Sequence, residues 1–283
     1  MSVADCVEAG KPISADLDLA LFQGSSIGGA RPKAIIEDAG RKLIAKFSSR
    51  DDVFNVVKGE FVAMQLASAV GIKAAPVKLV RVAGKDVLLI ERFDRVRDGK
   101  DWQRKAMVSA LTLFELDEMM ARYASYETLT EIIRHRFREP KASLRELFKR
   151  LVFNVLSGNT DDHARNHAAF WDGESLTLTP AYDICPQARA GGEAGQAMFI
   201  TGQDNRSQLA LCLKAAPNFL LNAAEAEEII EHQLVTLHAQ WPRIAEEAKL
   251  TEVERSILWG RQFLNPFAFE GAPASLHRLS LKS

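Results

Sequence analysis

Between Leu144 and Asp183 the chain passes through a helical stripe, a glycine stop, a cluster of acids and amides, a short hairpin and a further aspartate. Leu144, Leu147, Phe148, Leu151, Val152 and Val155 fall at helical spacing, which predicts a buried helix over 144–156. Ser157-Gly158-Asn159 stops it. The run Asn159-Thr160-Asp161-Asp162-His163-Ala164-Arg165-Asn166 therefore lies on a loop that a rigid helix can hold open to solvent. Ala168–Trp171 and Leu176–Leu178 read as strands joined at Asp172-Gly173, a favoured hairpin turn, and that hairpin returns Asp183 towards Asp161 and Asn166.

An aspartate, an asparagine five positions on and a second aspartate after a hairpin are the residue types that phosphoryl transfer needs. One carboxylate can take a proton from an attacking hydroxyl; the carboxamide and the other carboxylate are the hard oxygen ligands that magnesium prefers beside polyphosphate. The order of elements is that of a protein-kinase catalytic segment, although the His-Arg-Asp and Asp-Phe-Gly strings are absent. His163 and His167 stand four apart, so a zinc site shared with Asp161 or Asp183, as in a phosphohydrolase, is a rival. Ala164 stands where a His-Glu-x-x-His metallopeptidase has its Glu, which counts against it.

A phosphoryl donor needs a cradle. Gly24-Ser25-Ser26-Ile27-Gly28-Gly29-Ala30-Arg31-Pro32-Lys33 offers glycines that let backbone amides approach phosphate, without the Gly-Lys-Ser/Thr ending of a Walker loop. Arg41–Phe47 then reads as a strand with Leu43 and Ala45 on one face and Lys42, Ile44 and Lys46 on the other. Burying Lys46 costs free energy unless a carboxylate or polyphosphate compensates. Glu60, opening a helix that runs to Val70 and is closed by Gly71, is the expected partner. Val77–Val82 and Asp86–Glu91 form two more strands, and Glu91-Arg92-Phe93-Asp94 leaves the sheet where an adenine edge would bind. Phe93 would lie beside the base, and Asp94 would accept a ribose hydroxyl or else pair with Arg92 or Arg95.

Ser26-Ile-Gly-Gly-Ala-Arg-Pro-Lys33, Ala45-Lys46-Phe47, Glu91-Arg-Phe-Asp-Arg95, Gly158-Asn-Thr-Asp-Asp-His-Ala-Arg-Asn-His167 and Leu178-Thr-Pro-Ala-Tyr-Asp-Ile-Cys185 together resemble the HipA-like serine/threonine kinases of bacterial toxin–antitoxin systems, over nearly the whole chain. The resemblance implies an α+β, two-lobed protein-kinase-like fold: a strand-rich N-lobe over 1–95 and a mainly helical C-lobe over 96–283. It implies ATP and Mg2+ as cofactors, Asp161 as catalytic base, Asn166 and Asp183 as metal ligands, and Lys46 on the ATP phosphates. Lys33, Ser26, Gly28 and Gly29 would belong to the phosphate loop, and Glu91, Phe93 and Asp94 to the hinge and ribose contacts. Ser26, with Ser25 as a second acceptor, matches the loop serine whose autophosphorylation silences such kinases; the added charge would be repelled from the ATP site and drawn to Arg31 or Lys33. Family members studied as toxins phosphorylate aminoacyl-tRNA synthetases.

Two departures stand out. Longer members carry a small subdomain before the glycine loop, whereas residues 1–23 are too few for a compact one, so that piece is either lost or a separate small antitoxin; a DNA-binding antitoxin is a further expected partner. Asp162 stands where other members can have Gly, and its charge beside the base would shift metal affinity or bind a cation of its own.

Lys plus Arg 36 against Asp plus Glu 37 leaves a formal net charge of -1, which gives no global pull towards nucleic acid, and direct DNA binding is not expected. Cys6, Cys185 and Cys212 are too scattered for a disulfide framework. No apolar run reaches membrane-spanning length and the N-terminus does not read as a signal peptide, so a cytoplasmic location is expected. Residues 188–195 follow Asp183 as an activation segment would; helices are expected over 129–137, 223–238 and 253–263. The alternatives to a kinase are a catalytically weak kinase-fold protein that binds an antitoxin, and the metal-dependent phosphohydrolase.

Overall fold

A computed structural model describes residues 33–38, 40–48, 55–82, 84–189 and 191–281. The N-terminal part is an antiparallel sheet in the order β1-β2-β4-β3, formed by β1 (Lys33–Asp38), β2 (Arg41–Phe47), β3 (Val77–Val82) and β4 (Lys85–Glu91). Lys33 opens β1 and pairs in register with Lys46 of β2, so the residue expected at the end of the phosphate loop is already in the sheet. The alternation read from β2 holds. Ala34, Ile36, Leu43, Ala45, Phe47, Val80, Val82, Val87 and Leu89 make an apolar layer on one face, while Leu88 and Ile90 join the main core on the other.

Against that second face packs the Val56–Ala69 helix. It starts a turn before the expected Glu60, because Asn55 caps it by accepting from the Lys58 amide at 3.2 Å. Val57, Phe61, Met64 and Leu66 are buried against the sheet and the helices below, which fixes the rotation of the helix and points Glu60 at β2.

The chain then forms a two-stranded ribbon, β5 (Arg95–Asp98) and β6 (Asp101–Arg104), before entering a second sheet, β7-β8-β9 (Met107–Ser109, Ala168–Trp171, Leu176–Leu178). The turn between β8 and β9 is the expected one. Gly173 has φ +106, and the Asp172 carboxylate accepts from the Glu174 and Ser175 amides at 2.9 and 2.8 Å.

The main helices follow: Tyr126–Arg136, Pro140–Ser157, Leu209–Ala215, Ala223–Glu247, Glu252–Leu258 and Ala274–Ser280. The Pro140–Ser157 helix is the central one, with Leu144, Leu147, Phe148, Leu151, Val152 and Val155 all inaccessible to solvent. Ala223–Glu247 begins with a capping box between Asn222 and Glu225 and continues through Pro242, well past the expected end at His238. Buried Trp241, Ile244 and Ala245 repay the lost hydrogen bond. Among the described residues no helix is long and apolar enough to cross a membrane.

The two halves meet along a short backbone seam. Lys73–Ala75, between the first helix and β3, pairs with the segment leading to Asp183: the Ala75 amide donates to the Ala181 carbonyl at 2.8 Å, and the Ala181 amide to the Lys73 carbonyl at 2.7 Å. Asp183 is thereby tied to the half that carries Lys46.

Candidate active site

Lys46 is 7% exposed, and its ammonium donates to Glu60 Oε1 at 2.5 Å and to Asp183 Oδ1. Burial by itself would push this amine down, but the Glu60 and Asp183 carboxylates outweigh it and hold the amine above its ordinary range. Glu60, 4% exposed, is raised by burial and by the nearby Asp183 charge, which Lys46 offsets only in part. Asp183 is held below the usual carboxylate range: burial pulls it up, and Lys46, with Lys33 and His163 nearby, more than reverses that. Three expected residues, Lys33, Lys46 and Asp183, therefore share one electrostatic site with Glu60.

Asp183 also has φ +59, a left-handed backbone that costs a non-glycine residue free energy. Strain of this kind concentrates where a side chain must be aimed. The two residues before it are both anchored, Ala181 in the seam with Lys73–Ala75 and Tyr182 through its hydroxyl, which donates to the Arg165 carbonyl at 2.7 Å and binds the Asp183 segment to the loop of Asp161 and Asn166.

That loop starts where Gly158, at φ +68, ends the Pro140–Ser157 helix. A Cβ at this position would stand 2.6 Å from the Gln262 carbonyl oxygen, so both the backbone angle and the close approach require glycine. Asp161 is exposed, as a residue that must meet a substrate should be. The Asn166 carboxamide nitrogen donates to the Asp161 carbonyl at 3.1 Å, and its oxygen takes no partner among the described residues. The loop thus presents one exposed carboxylate and one amide oxygen, while Asp183 lies across the Tyr182 bond.

Asp162 is turned away from the phosphate side expected for it: it is 2% exposed and faces inward, accepting from the Tyr126 hydroxyl and from His167 Nε2 at 2.8 Å. Burial pulls its carboxyl up, and His167 and Tyr126 bring it below the usual range.

The pairing of His167 with Asp162 also removes the geometry of the zinc alternative. His163 and His167 bracket a short 3-10 turn with extended backbone at both ends, so a spacing of four does not place them on one helical face. Among the described residues, no three or more His, Cys, Asp or Glu side chains are grouped to hold a metal ion in that way.

At the hinge the outcome is divided. The Glu91 and Arg92 amides donate to the Pro76 and Lys42 carbonyls at 3.0 and 2.9 Å, whereas the Phe93 amide has no partner among the described residues. The Phe93 ring packs on Phe170 and Tyr182 at 5.9 and 5.6 Å between centroids. The Glu91 carboxylate lies 3.8 Å from Arg41. Asp94 is buried, its carboxylate taken by Arg92 at 2.9 and 2.7 Å and by Arg95. Of the two partners open to it from the sequence, it has the guanidiniums. Ser25, Ser26, Gly28 and Gly29 lie outside the described residues.

Sequence reasoning did not find Tyr182 or Tyr126. Tyr182 was visible as a neighbour of Asp183, but its hydroxyl partner is a backbone carbonyl 17 residues earlier; Tyr126 opens a helix 36 residues before Asp162.

Comparison with known proteins finds relatives named as kinases. The chain is 28% identical over 181 residues to a putative kinase of Haemophilus influenzae, 57% of this chain and 52% of the relative. It is 25% identical over 186 residues to the serine/threonine-protein kinase toxin HipA of Shewanella oneidensis, 56% of this chain and 42% of that protein. A putative kinase of Sinorhizobium fredii is 26% identical over 132 residues, 45% of this chain and 31% of the relative. The matched segments span from 31% to 52% of the length of these relatives.

Two solved structures share the fold. The complex of Shewanella oneidensis HipA with HipB and operator DNA superimposes with a TM-score of 0.70 at 19% identity, covering 92% of this chain and 67% of that one. The Helicobacter pylori proinflammatory kinase CtkA gives 0.60 at 17% identity, covering 92% and 96%. The fold is thus the α+β, two-lobed kinase-like one. Residues 25–241 match the HipA-like C-terminal domain, and the chain belongs to that family.

Proposed function

We propose that this protein is an ATP- and magnesium-dependent serine/threonine protein kinase. The observation that carries the reading is the Lys46 ammonium buried between Glu60 and Asp183. A buried ion pair is a costly way to stabilise a fold, and its worth lies in presenting a fixed cation to a polyphosphate.

The residues fit the group they would hold. Asn166 and Asp183 offer an amide and a carboxylate oxygen, the hard donors that suit magnesium, and when bound the ion would neutralise charge on the phosphates. Glu60 fixes the Lys46 amine so that it can neutralise phosphate oxygens without losing rotamer entropy at that step. Asp161, exposed on the loop, accepts the proton of a serine or threonine hydroxyl as its oxygen attacks the γ-phosphorus and the bond to the ADP oxygen breaks. The amide of Phe93 is available to an adenine edge. Asp94, paired with Arg92 and Arg95, shapes the exit of β4 and leaves the ribose to other groups.

The family likeness supports a target in the translation apparatus, such as an aminoacyl-tRNA synthetase, and self-phosphorylation at Ser26 or Ser25. The Shewanella oneidensis HipA structure, solved with HipB and operator DNA, supports an antitoxin partner that binds DNA on behalf of the kinase.

The test is phosphopeptide mapping after the purified chain is incubated with labelled ATP and magnesium. Phosphate on Ser26 or Ser25 that disappears in Asp161→Ala supports the reading. ATP consumed without any phosphoprotein favours a hydrolase, and failure to bind nucleotide favours an antitoxin-binding module.

A further inference from the structure

The catalytic loop alternates. Asp161 and Asn166, the residues assigned to chemistry, are each followed by a residue that turns inward, Asp162 and His167. On the outer side the Asn166 carboxamide donates to the Asp161 carbonyl at 3.1 Å. On the inner side the His167 Nε2 proton goes to Asp162 Oδ1 at 2.8 Å. These two bonds close the loop twice at adjacent positions.

A third group holds the inner closure from below. Tyr126 is fully buried at the start of the Tyr126–Arg136 helix; its hydroxyl donates to Asp162 Oδ2 and stands 3.4 Å from His167 Nε2. Its ring meets the imidazole edge to face, with centroids 5.6 Å apart and planes at 76°. Its own backbone is pinned, since the Tyr126 amide donates to the Phe199 carbonyl at 2.9 Å, and the Ala197 amide two residues earlier donates to the Thr160 carbonyl at 3.1 Å. The helix, the 197–199 segment and the catalytic loop are therefore one hydrogen-bonded unit.

We propose that Tyr126, Asp162 and His167 form a buried clip that sets the separation and aim of Asp161 and Asn166, making these three the positioning residues of the site. The inference rests on the kinase reading for its effect on rate, though the clip itself is a property of the loop. A buried carboxylate, phenol and imidazole are expensive to desolvate, and apolar residues would fill the space at lower cost. What they supply is direction: each bond admits one loop geometry, and Asp161 and Asn166 lie one peptide unit from its anchors.

Tyr126→Phe removes only the hydroxyl and keeps the ring in the core. His167→Phe keeps a flat ring without the donor, and His167→Gln restores an N–H near the place of Nε2. Hydrogen exchange of amides 160–168 is measured on the full chain for all four proteins, together with nucleotide affinity and single-turnover phosphate transfer. The clip predicts exchange in the loop roughly tenfold or more faster in Tyr126→Phe and His167→Phe and protected again in His167→Gln. It also predicts transfer slowed by roughly ten- to a hundredfold at unchanged nucleotide affinity, the scale of a misplaced catalytic group.

Loop exchange equal to that of the unaltered protein in both variants overturns the clip. So does a parallel rise in exchange across the whole C-terminal half with loss of nucleotide binding, which marks ordinary core packing. Should the unaltered protein transfer no phosphate, the kinase reading fails, and loop exchange alone decides the clip.

Discussion

The Tyr182 hydroxyl donates to the Arg165 carbonyl at 2.7 Å, and this bond joins the residue before Asp183 to the residue before Asn166. The two candidate metal ligands thus belong to segments that are tied together one residue away from each.

Tyr182→Phe tests that tie. The ring stays packed on Phe93, so little is lost from the core, and a single neutral hydrogen bond is worth about 0.5–1.5 kcal/mol. Phosphate transfer should fall by roughly threefold to tenfold, with a larger effect at limiting magnesium than at saturating magnesium. A variant with unaltered magnesium dependence would show that the tie does not place the ligands.

Lys46→Met tests the buried ion pair. Removing one partner of such a pair typically costs about 3–5 kcal/mol, because the remaining carboxylate is left without compensation. The deficit should depend on pH in a definite direction. Glu60 already sits above its ordinary 4.5 through burial, and without Lys46 it rises further. A carboxyl raised in the folded state favours folding below 4.5 and loses that contribution as pH rises through its folded value. Urea denaturation should therefore show the variant closest to the unaltered protein in mild acid and furthest from it at neutral pH. An equal deficit at both would mean that Glu60 is not the group left uncompensated.

Much of this site was legible in the chain because its signals are local. The stripe from Leu144 to Val155, the glycine stop and the Asp172-Gly173 turn each depend on neighbours within one element, and each appears where it was read. Lys46 and Glu60 were paired by a different argument: a lysine on a buried strand face needs a carboxylate, and the next helix supplied one. The inward turn of Asp162 was not legible, since nothing adjacent distinguishes it from Asp161 and its partner Tyr126 comes from another helix. The same is true of Asp94, whose two possible partners were both in view while only the folded backbone chooses between them. The continuation of the Ala223–Glu247 helix through Pro242 went unread because tertiary burial of Trp241 and Ile244 overrides the local breaker.

Gly158→Ala tests how tightly the loop is set on its helix. The left-handed backbone alone costs a non-glycine residue roughly 1–2 kcal/mol, and the added Cβ meets the Gln262 carbonyl oxygen at 2.6 Å. The urea midpoint should drop accordingly, and phosphate transfer should drop with it as the loop shifts. An unchanged midpoint would mean that the Gln262 segment yields freely, and that the loop is not anchored there.

In the proposed kinase, Lys46, Asp161, Asn166 and Asp183 act on one nucleotide. Single-turnover transfer from labelled ATP, measured beside nucleotide affinity, tests this most directly. Asp161→Ala should bind ATP as the unaltered protein does yet lose phosphate transfer by roughly a hundredfold or more, Asn166→Ala and Asp183→Asn should lose transfer together with its response to magnesium, and Lys46→Met should lose nucleotide affinity as well. Undiminished transfer in Asp161→Ala, or full ATP affinity in Lys46→Met, would contradict the account.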